Sequence, residues 1–337
     1  MRNLSIQGLR GIAAMIVFFS HALLIPELNL NEIKESPLHL FFDGQISVMV
    51  FIALSGFFYY NKNVSSISDY ISFVRKKAVR IYVPYLLITV LAFFLLRFYV
   101  TIPYNQTCFT EWGNSFWRTK VSFLELVKQC SVLWPHNADL LNPPSWYLAI
   151  EVRLFLIIPL LLFLLNKYKN LARIIIIGFI GLMCSGVLKY IGACLCGYLA
   201  HSILDYLIKK KPSFIENIFF KLTLCLISLF LLNINNEFVV PLQVSYVLQA
   251  IGAAIIVAIV YCSESKLLSN RILVWLGNIS YELYLVHFVV LLSLRPYYHG
   301  GVSYVLISLV ITLLGSFIIQ KVSSIITKLV ELPFNKQ

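Results

Sequence analysis

Four ionisable residues sit where an apolar chain should not tolerate them: Arg10, His21, Glu151 and His287. A charge at mid-membrane costs about 2.5–3.5 kcal/mol on insertion scales, so each one needs a reason. Arg10 and His21 are eleven residues apart. At about 100° per residue they return to within about 20° of one direction, with about 16 Å between them along a helix. Glu151 follows Trp146 by five residues in an apolar run. Measured from the start of that run it lies at about the depth expected for His21. A carboxylate beside an imidazole can fix its tautomer and raise its basicity, as general base catalysis requires. The plainer readings are a snorkelling arginine, a hydrogen-bonded core histidine and a Glu151–Arg153 ion pair. His287 is either a third polar group of the same cavity or a structural residue. Arg75-Lys76-Lys77-Ala78-Val79-Arg80 opens an apolar run. Such a strip either marks the cytoplasmic side or binds phosphate through its Arg and Lys donors.

The elements that must position these groups are membrane helices. The chain has 337 residues, 59% of them apolar and only 12% charged, half the roughly 25% of a soluble domain. Ten apolar segments can be drawn, at about 9–25, 44–60, 81–100, 146–165, 171–188, 190–208, 218–233, 238–262, 275–294 and 302–326. The break between the fifth and sixth is placed at Lys189-Tyr190. The expectation is an all-α, polytopic integral membrane protein of about ten transmembrane helices with both termini cytoplasmic, forming one membrane-embedded domain over 1–337 without a further soluble domain. Met1-Arg2-Asn3 leads into a first helix read as uncleaved, because no small-residue cleavage site follows.

This topology accounts for the charge. With the N-terminus inside, 19 of the 27 Lys and Arg residues fall on the inner side and 8 on the outer side, as the positive-inside rule requires. The net charge of +12 therefore needs no nucleic acid. Cys108 and Cys130 share the longest polar loop, about 101–145, and are open to a disulfide if it faces an oxidising space. That loop is expected outside and ordered, since it holds Trp112, Trp117, Trp134, His136 and Pro143-Pro144. The cysteine spacing and scattered histidines do not suggest a metal site.

Five segments together resemble the acyltransferase-3 family of integral membrane acyltransferases. Gln7-Gly8-Leu9-Arg10-Gly11-Ile12-Ala13-Ala14 through His21 is similar to the family's "DGLRGIAA…H" opening. Val50-Phe51-Ile52-Ala53-Leu54-Ser55-Gly56-Phe57-Phe58 is similar to "FFVLSGFL", and Lys77-Ala78-Val79-Arg80-Ile81-Tyr82-Val83-Pro84 to "RxxRIYP". Pro144-Ser145-Trp146-Tyr147-Leu148-Ala149-Ile150-Glu151, with Pro159 beyond, resembles "WSLxxExxFYxxxP". Leu276-Gly277-Asn278-Ile279-Ser280-Tyr281-Glu282-Leu283-Tyr284-Leu285-Val286-His287 resembles "LGxISYxLYLxH". Gln7 stands where the family has Asp, and Lys77 where it has Arg, which loses bidentate geometry.

The resemblance implies transfer of an acyl group, commonly acetyl, from cytoplasmic acetyl-CoA or another acyl-CoA. The acceptor would be a sugar hydroxyl of an envelope polysaccharide or lipid-linked oligosaccharide, in a bacterial inner membrane. It implies catalytic roles for His21, Glu151 and Arg10, with Glu151 orienting His21. Donor binding would fall to Arg10, Lys77, Arg80 and Ser55, and acceptor binding to Trp146, Arg153, Tyr281 and His287. Two rivals stand beside it: a transporter or exporter of an envelope glycan with a proton relay, and a glycan polymerase or ligase using the large outer loop.

Overall fold

The computed structural model describes residues 3–25, 36–62, 64–132, 137, 140–166, 171–184, 186–263, 265–299 and 301–331. Among them the chain is helical, with no strand. The apolar segments fall on helices, since an apolar run must pair its backbone groups within itself, but 275–294 covers parts of two helices bent by 73°. In chain order the long helices are α1 (Leu4–Leu24), α2 (Gly44–Tyr59) and α3 (Ile67–Tyr99). Two short helices of the large loop follow, α4 (Glu111–Ser115) and α5 (Phe123–Cys130). Then come α6 (Ser145–Asn166), α7 (Leu171–Met183), α8 (Val187–Lys210), the short α9 (Pro212–Glu216) and α10 (Ile218–Leu232). The chain continues through α11 (Ile234–Glu237), α12 (Leu242–Cys262), α13 (Arg271–Asn278), α14 (Ser280–Leu294) and α15 (Gly301–Glu331).

Among the described residues six helices are long and apolar enough to cross a membrane: α1, α3, α6, α8, α12 and α15. The α13–α14 pair, if one span, makes a seventh, while α2, α7 and α10 are shorter apolar helices.

Two boundaries differ from the sequence expectation. The fifth and sixth segments part near Gly186, whose φ of 64° suits glycine, rather than at Lys189-Tyr190. Lys189 instead lies inside α8, with its ammonium 3.7 Å from the Tyr246 ring centre. The third helix begins at Ile67, so the basic strip 75–80 lies within a helix and does not open it. Cys108 and Cys130 are both free thiols.

The chain forms two compact units. The first comprises Met1–Ala13, Glu32–Ile71 and Arg153–Gly277. Its centre is the packing of α2 on α8, with α12 against both. Backbones approach closely there because small residues face each other, as in membrane helix pairs generally. A methyl group at Gly56 would overlap the Cys194 carbonyl, and one at Gly197 would overlap the Ala53 carbonyl. The Ser55-Gly56 step thus has a packing reason independent of chemistry. We expect Gly56→Val to cost more than the roughly 1–3 kcal/mol of ordinary overpacking and to abolish the monodisperse peak in size-exclusion chromatography. Gly178→Ala, where the nearest side-chain atom would be 3.4 Å from the new methyl, should elute normally.

The second unit comprises Ala14–Asn31, Ser72–Val152 and Asn278–Gln337. Here α14 packs on α15, and tyrosines tie helices to carbonyls. Tyr304 donates to Leu291 O at 2.5 Å, and Tyr85 donates to Gln129 O at 2.5 Å. The large loop is ordered where it is described. Trp134 and His136 lie outside the described residues.

Candidate active site

His21 and His287 lie together in the second unit. Their rings stack at 5.1 Å between centres, and His21 Nδ1 is 2.9 Å from His287 Nε2. The protons on this pair follow from its far end. His287 Nδ1 is 3.2 Å from the Leu283 carbonyl oxygen. A carbonyl only accepts, so His287 carries its proton on Nδ1. In the neutral ring Nε2 is then bare and accepts from His21 Nδ1–H. His21 is left with an unprotonated Nε2, the form of a general base.

Local structure fixes this arrangement. His287 is fully buried in α14, and the Leu283 carbonyl one turn earlier sets its tautomer. The end of α1 is held by Thr110, whose N–H donates to Ile25 O at 3.0 Å and whose hydroxyl donates to Leu24 O at 2.7 Å. The same hydroxyl caps α4 by accepting from Gly113 N at 3.1 Å. One threonine therefore satisfies orphan carbonyls of α1 and an orphan donor of α4. This places Trp112 of α4 over His21, with ring planes 15° from parallel and centres 5.9 Å apart. Phe288 meets His21 edge-on at 5.1 Å, and Phe116 packs on Phe288 at 5.1 Å. Aromatic walls of this kind restrict water around a reacting centre.

Glu151 is elsewhere. Its carboxylate pairs with Lys77, Oε1 to Nζ 3.3 Å, with both side chains partly buried. Backbone anchors along α14 give the depths. Tyr284 donates to Pro144 O at 2.8 Å, and Asn142 donates to Leu285 O at 3.0 Å. Tyr281 donates to Ile81 O at 2.8 Å, and Tyr99 meets Tyr297 at 5.8 Å, so α3 and α14 run parallel. The start of α6 is thus level with Tyr284 and Leu285, close to His287. Glu151 lies six residues further, about 9 Å along α6. Lys77 lies four residues, about 6 Å, before Ile81. Both estimates place the ion pair on the order of 12 Å from His287 along the helix axes.

The expectation that Glu151 shares the depth of His21 and orients it is therefore corrected, since its carboxylate stands at Lys77. The depth was counted from a loop assumed to end at the membrane surface. Asn142 and Ser145 are instead buried, because the loop turns back into the bundle and pairs with α14. His287, placed at sequence level among acceptor-binding residues or given a structural role, is the residue that orients His21. The signal was available in its position one helical turn after Leu283, but no sequence rule pairs two histidines 266 residues apart.

The remaining sequence-predicted residues are distributed as follows. Arg80 is exposed on α3, and Lys77, half-buried, is occupied by Glu151. Arg10 on α1, Ser55 on α2 and Arg153 on α6 are half-buried in the first unit. Trp146, in the first turn of α6, is exposed and meets Tyr147 edge-on at 6.2 Å. The Tyr281 hydroxyl proton is committed to the Ile81 carbonyl, which ties α14 to α3. Among the described residues no three His, Cys, Asp or Glu side chains gather as metal ligands would.

The Lys77–Glu151 pair can be tested as a structural link. Glu151→Gln should destabilise the protein by about 1–3 kcal/mol, since it takes the carboxylate away from a half-buried ammonium. Lys77→Met combined with Glu151→Leu should recover part of that loss in thermal unfolding. Equal melting of wild type and Glu151→Gln would show that the pair contributes nothing to the fold.

The family model described as an acyltransferase domain, acyltransferase-3, matches residues 3–321. No curated protein and no solved structure matches the chain.

Proposed function

Since the chain belongs to the acyltransferase-3 family, and is by that membership a membrane acyltransferase, we propose that it moves an acetyl group from cytoplasmic acetyl-CoA to a sugar hydroxyl of an extracytoplasmic envelope glycan, with His21 as general base. The observation that supports this reading most is the His21–His287 pair, whose hydrogen-bond order leaves His21 Nε2 unprotonated.

The chemistry balances on that nitrogen. His21 Nε2 takes the proton of the acceptor hydroxyl as its oxygen attacks the thioester carbonyl. The tetrahedral intermediate collapses by breaking the carbon–sulfur bond. The departing thiolate takes the proton back from Nε2, and ester and free thiol are released. His287 supports the transient imidazolium by accepting from Nδ1–H, the part that an acidic residue plays in hydrolase triads. Lys77 and Arg80 of the second unit are assigned to the donor's phosphates. Lys77 and Glu151 then act as a charge pair at the donor end of the site, not as partners of the base. Trp146, in the first turn of α6, is assigned to the acceptor side, and Tyr281, bonded to the Ile81 carbonyl, stands at the donor end. In this reading α2, α7 and α10 also cross the bilayer, which makes ten passes with both ends cytoplasmic, in a bacterial inner membrane. The export reading has less support, since a base with a bare nitrogen is what transfer needs.

The test is sidedness. Inverted vesicles given radiolabelled acetyl-CoA should label the glycan fraction, and sealed right-side-out vesicles should not. Label in right-side-out vesicles alone would place the donor on the other face and refute the reading.

A further inference from the structure

A second site lies in the same unit, beyond the histidine pair toward the end of α14. A cavity of about 470 Å³ is lined by Tyr99, Tyr104, Gln106, Asn114, Arg118 and Arg295, among others. That volume falls within the roughly 300–1,000 Å³ of small-molecule sites. Its electrostatics are unbalanced. Arg295 is only 3% exposed, and its guanidinium donates to neutral acceptors alone. These are Gly113 O at 2.6 Å, Phe116 O at 3.0 Å, the Tyr104 hydroxyl at 3.2 Å and, from Nε, Leu292 O at 3.5 Å. Arg118 donates through Nε to Asn114 O at 2.6 Å and is exposed at the cavity. The two cations are close enough to act on each other. Among the described residues no Asp or Glu lines the cavity, and none of their ion pairs involves either arginine. Two like charges at one cavity, one of them buried, are stabilised by an anion that enters it.

The wall chemistry is that of a carbohydrate site: tyrosine rings beside amide and hydroxyl groups that can bond ring substituents. The cavity is also continuous in structure with the histidine pair. Trp112 of α4 stacks on His21, and Asn114, two residues on, lines the cavity. Arg295 lies eight residues beyond His287, about 12 Å along the axis.

We propose that this cavity binds an anionic unit of the acceptor glycan, carrying a carboxylate or a phosphodiester, next to the sugar whose hydroxyl meets His21. The inference rests on the proposed glycan acceptor, and its test needs no acyl transfer.

The full chain, in nanodiscs of zwitterionic lipid, is titrated calorimetrically with trigalacturonate and with a neutral trisaccharide of equal length. The acidic probe should bind at least about tenfold more tightly, and Arg118→Ala should remove about tenfold of its affinity. Arg118→Lys should keep part of it, and the neutral probe should not respond to either change. Inorganic phosphate should compete with the acidic probe. Equal affinity for the two probes, or an acidic affinity unchanged in Arg118→Ala, overturns the proposal. So does displacement of the acidic probe by phosphatidylglycerol in the nanodisc, which would make a lipid headgroup the occupant. Lost binding in Arg118→Ala, with labelling by acetyl-CoA that is weaker but recovers at high acceptor concentration, would support the subsite and leave the transfer reading intact. Normal binding in His21→Ala without labelling would separate the two in the other direction.

Discussion

His21→Ala should lose about 10²–10⁴-fold in acyl transfer while the protein still folds and still binds its donor. At about 1.36 kcal/mol per decade this is roughly 3–5 kcal/mol of transition-state stabilisation. Folding should survive because His21 is partly exposed and stands near the end of α1, where Thr110 rather than the imidazole holds the helix. The measurement is radiolabel from acetyl-CoA in the glycan fraction of inverted vesicles at matched expression. Undiminished labelling in His21→Ala would remove the residue from catalysis. Chain length and surface display of the unmodified glycan should be unchanged. A shorter glycan would favour a polymerase, and loss of surface glycan would favour an exporter.

His287→Ala should lower the turnover number by about 10–100-fold and leave the Michaelis constant for the donor thioester unchanged. The imidazole does not need to touch either substrate to have this effect. It accepts from His21 Nδ1–H and so holds the lone pair of Nε2 outward. Without an acceptor there, His21 can hold its proton on either nitrogen and can turn about its side-chain bonds. His287→Gln provides a control, because its amide oxygen can accept the same hydrogen bond. That variant should recover part of the lost turnover. A purely structural role would reduce the amount of folded protein in both variants and leave the activity per folded molecule alone. A rise in the Michaelis constant with normal turnover would instead make His287 an acceptor-binding residue.

Much was legible in the sequence because a bilayer imposes one dominant constraint. Apolar runs must be helices there, so the segments drawn from hydropathy fall on helices, six of which, among the described residues, are long and apolar enough to cross a membrane. The interior polar residues were conspicuous because each is costly in that setting. Arg10, His21, Glu151 and His287 were therefore found without any knowledge of their partners. Family membership was legible too, because its short motifs lie in order along the chain.

The pairing of those residues was decided by tertiary structure. Sequence gives depth only if every loop ends at the membrane surface, and the loop before α6 does not. Its Asn142 and Pro144 reach the backbone and tyrosine of α14, which displaces the start of α6 to the level of Tyr284 and takes Glu151 to Lys77. Residues 21 and 287 meet because α1 and α14 share one unit, a long-range contact that no local periodicity encodes. The tautomer of His21, and with it which of its ring nitrogens is bare, depends on a single carbonyl at Leu283. The composition of the chain fixes that it is helical and membrane-embedded, since hydrophobic burial and backbone hydrogen bonding are properties of segments. Catalytic geometry is a property of side chains brought together across the fold, and it exists only once the helices have packed.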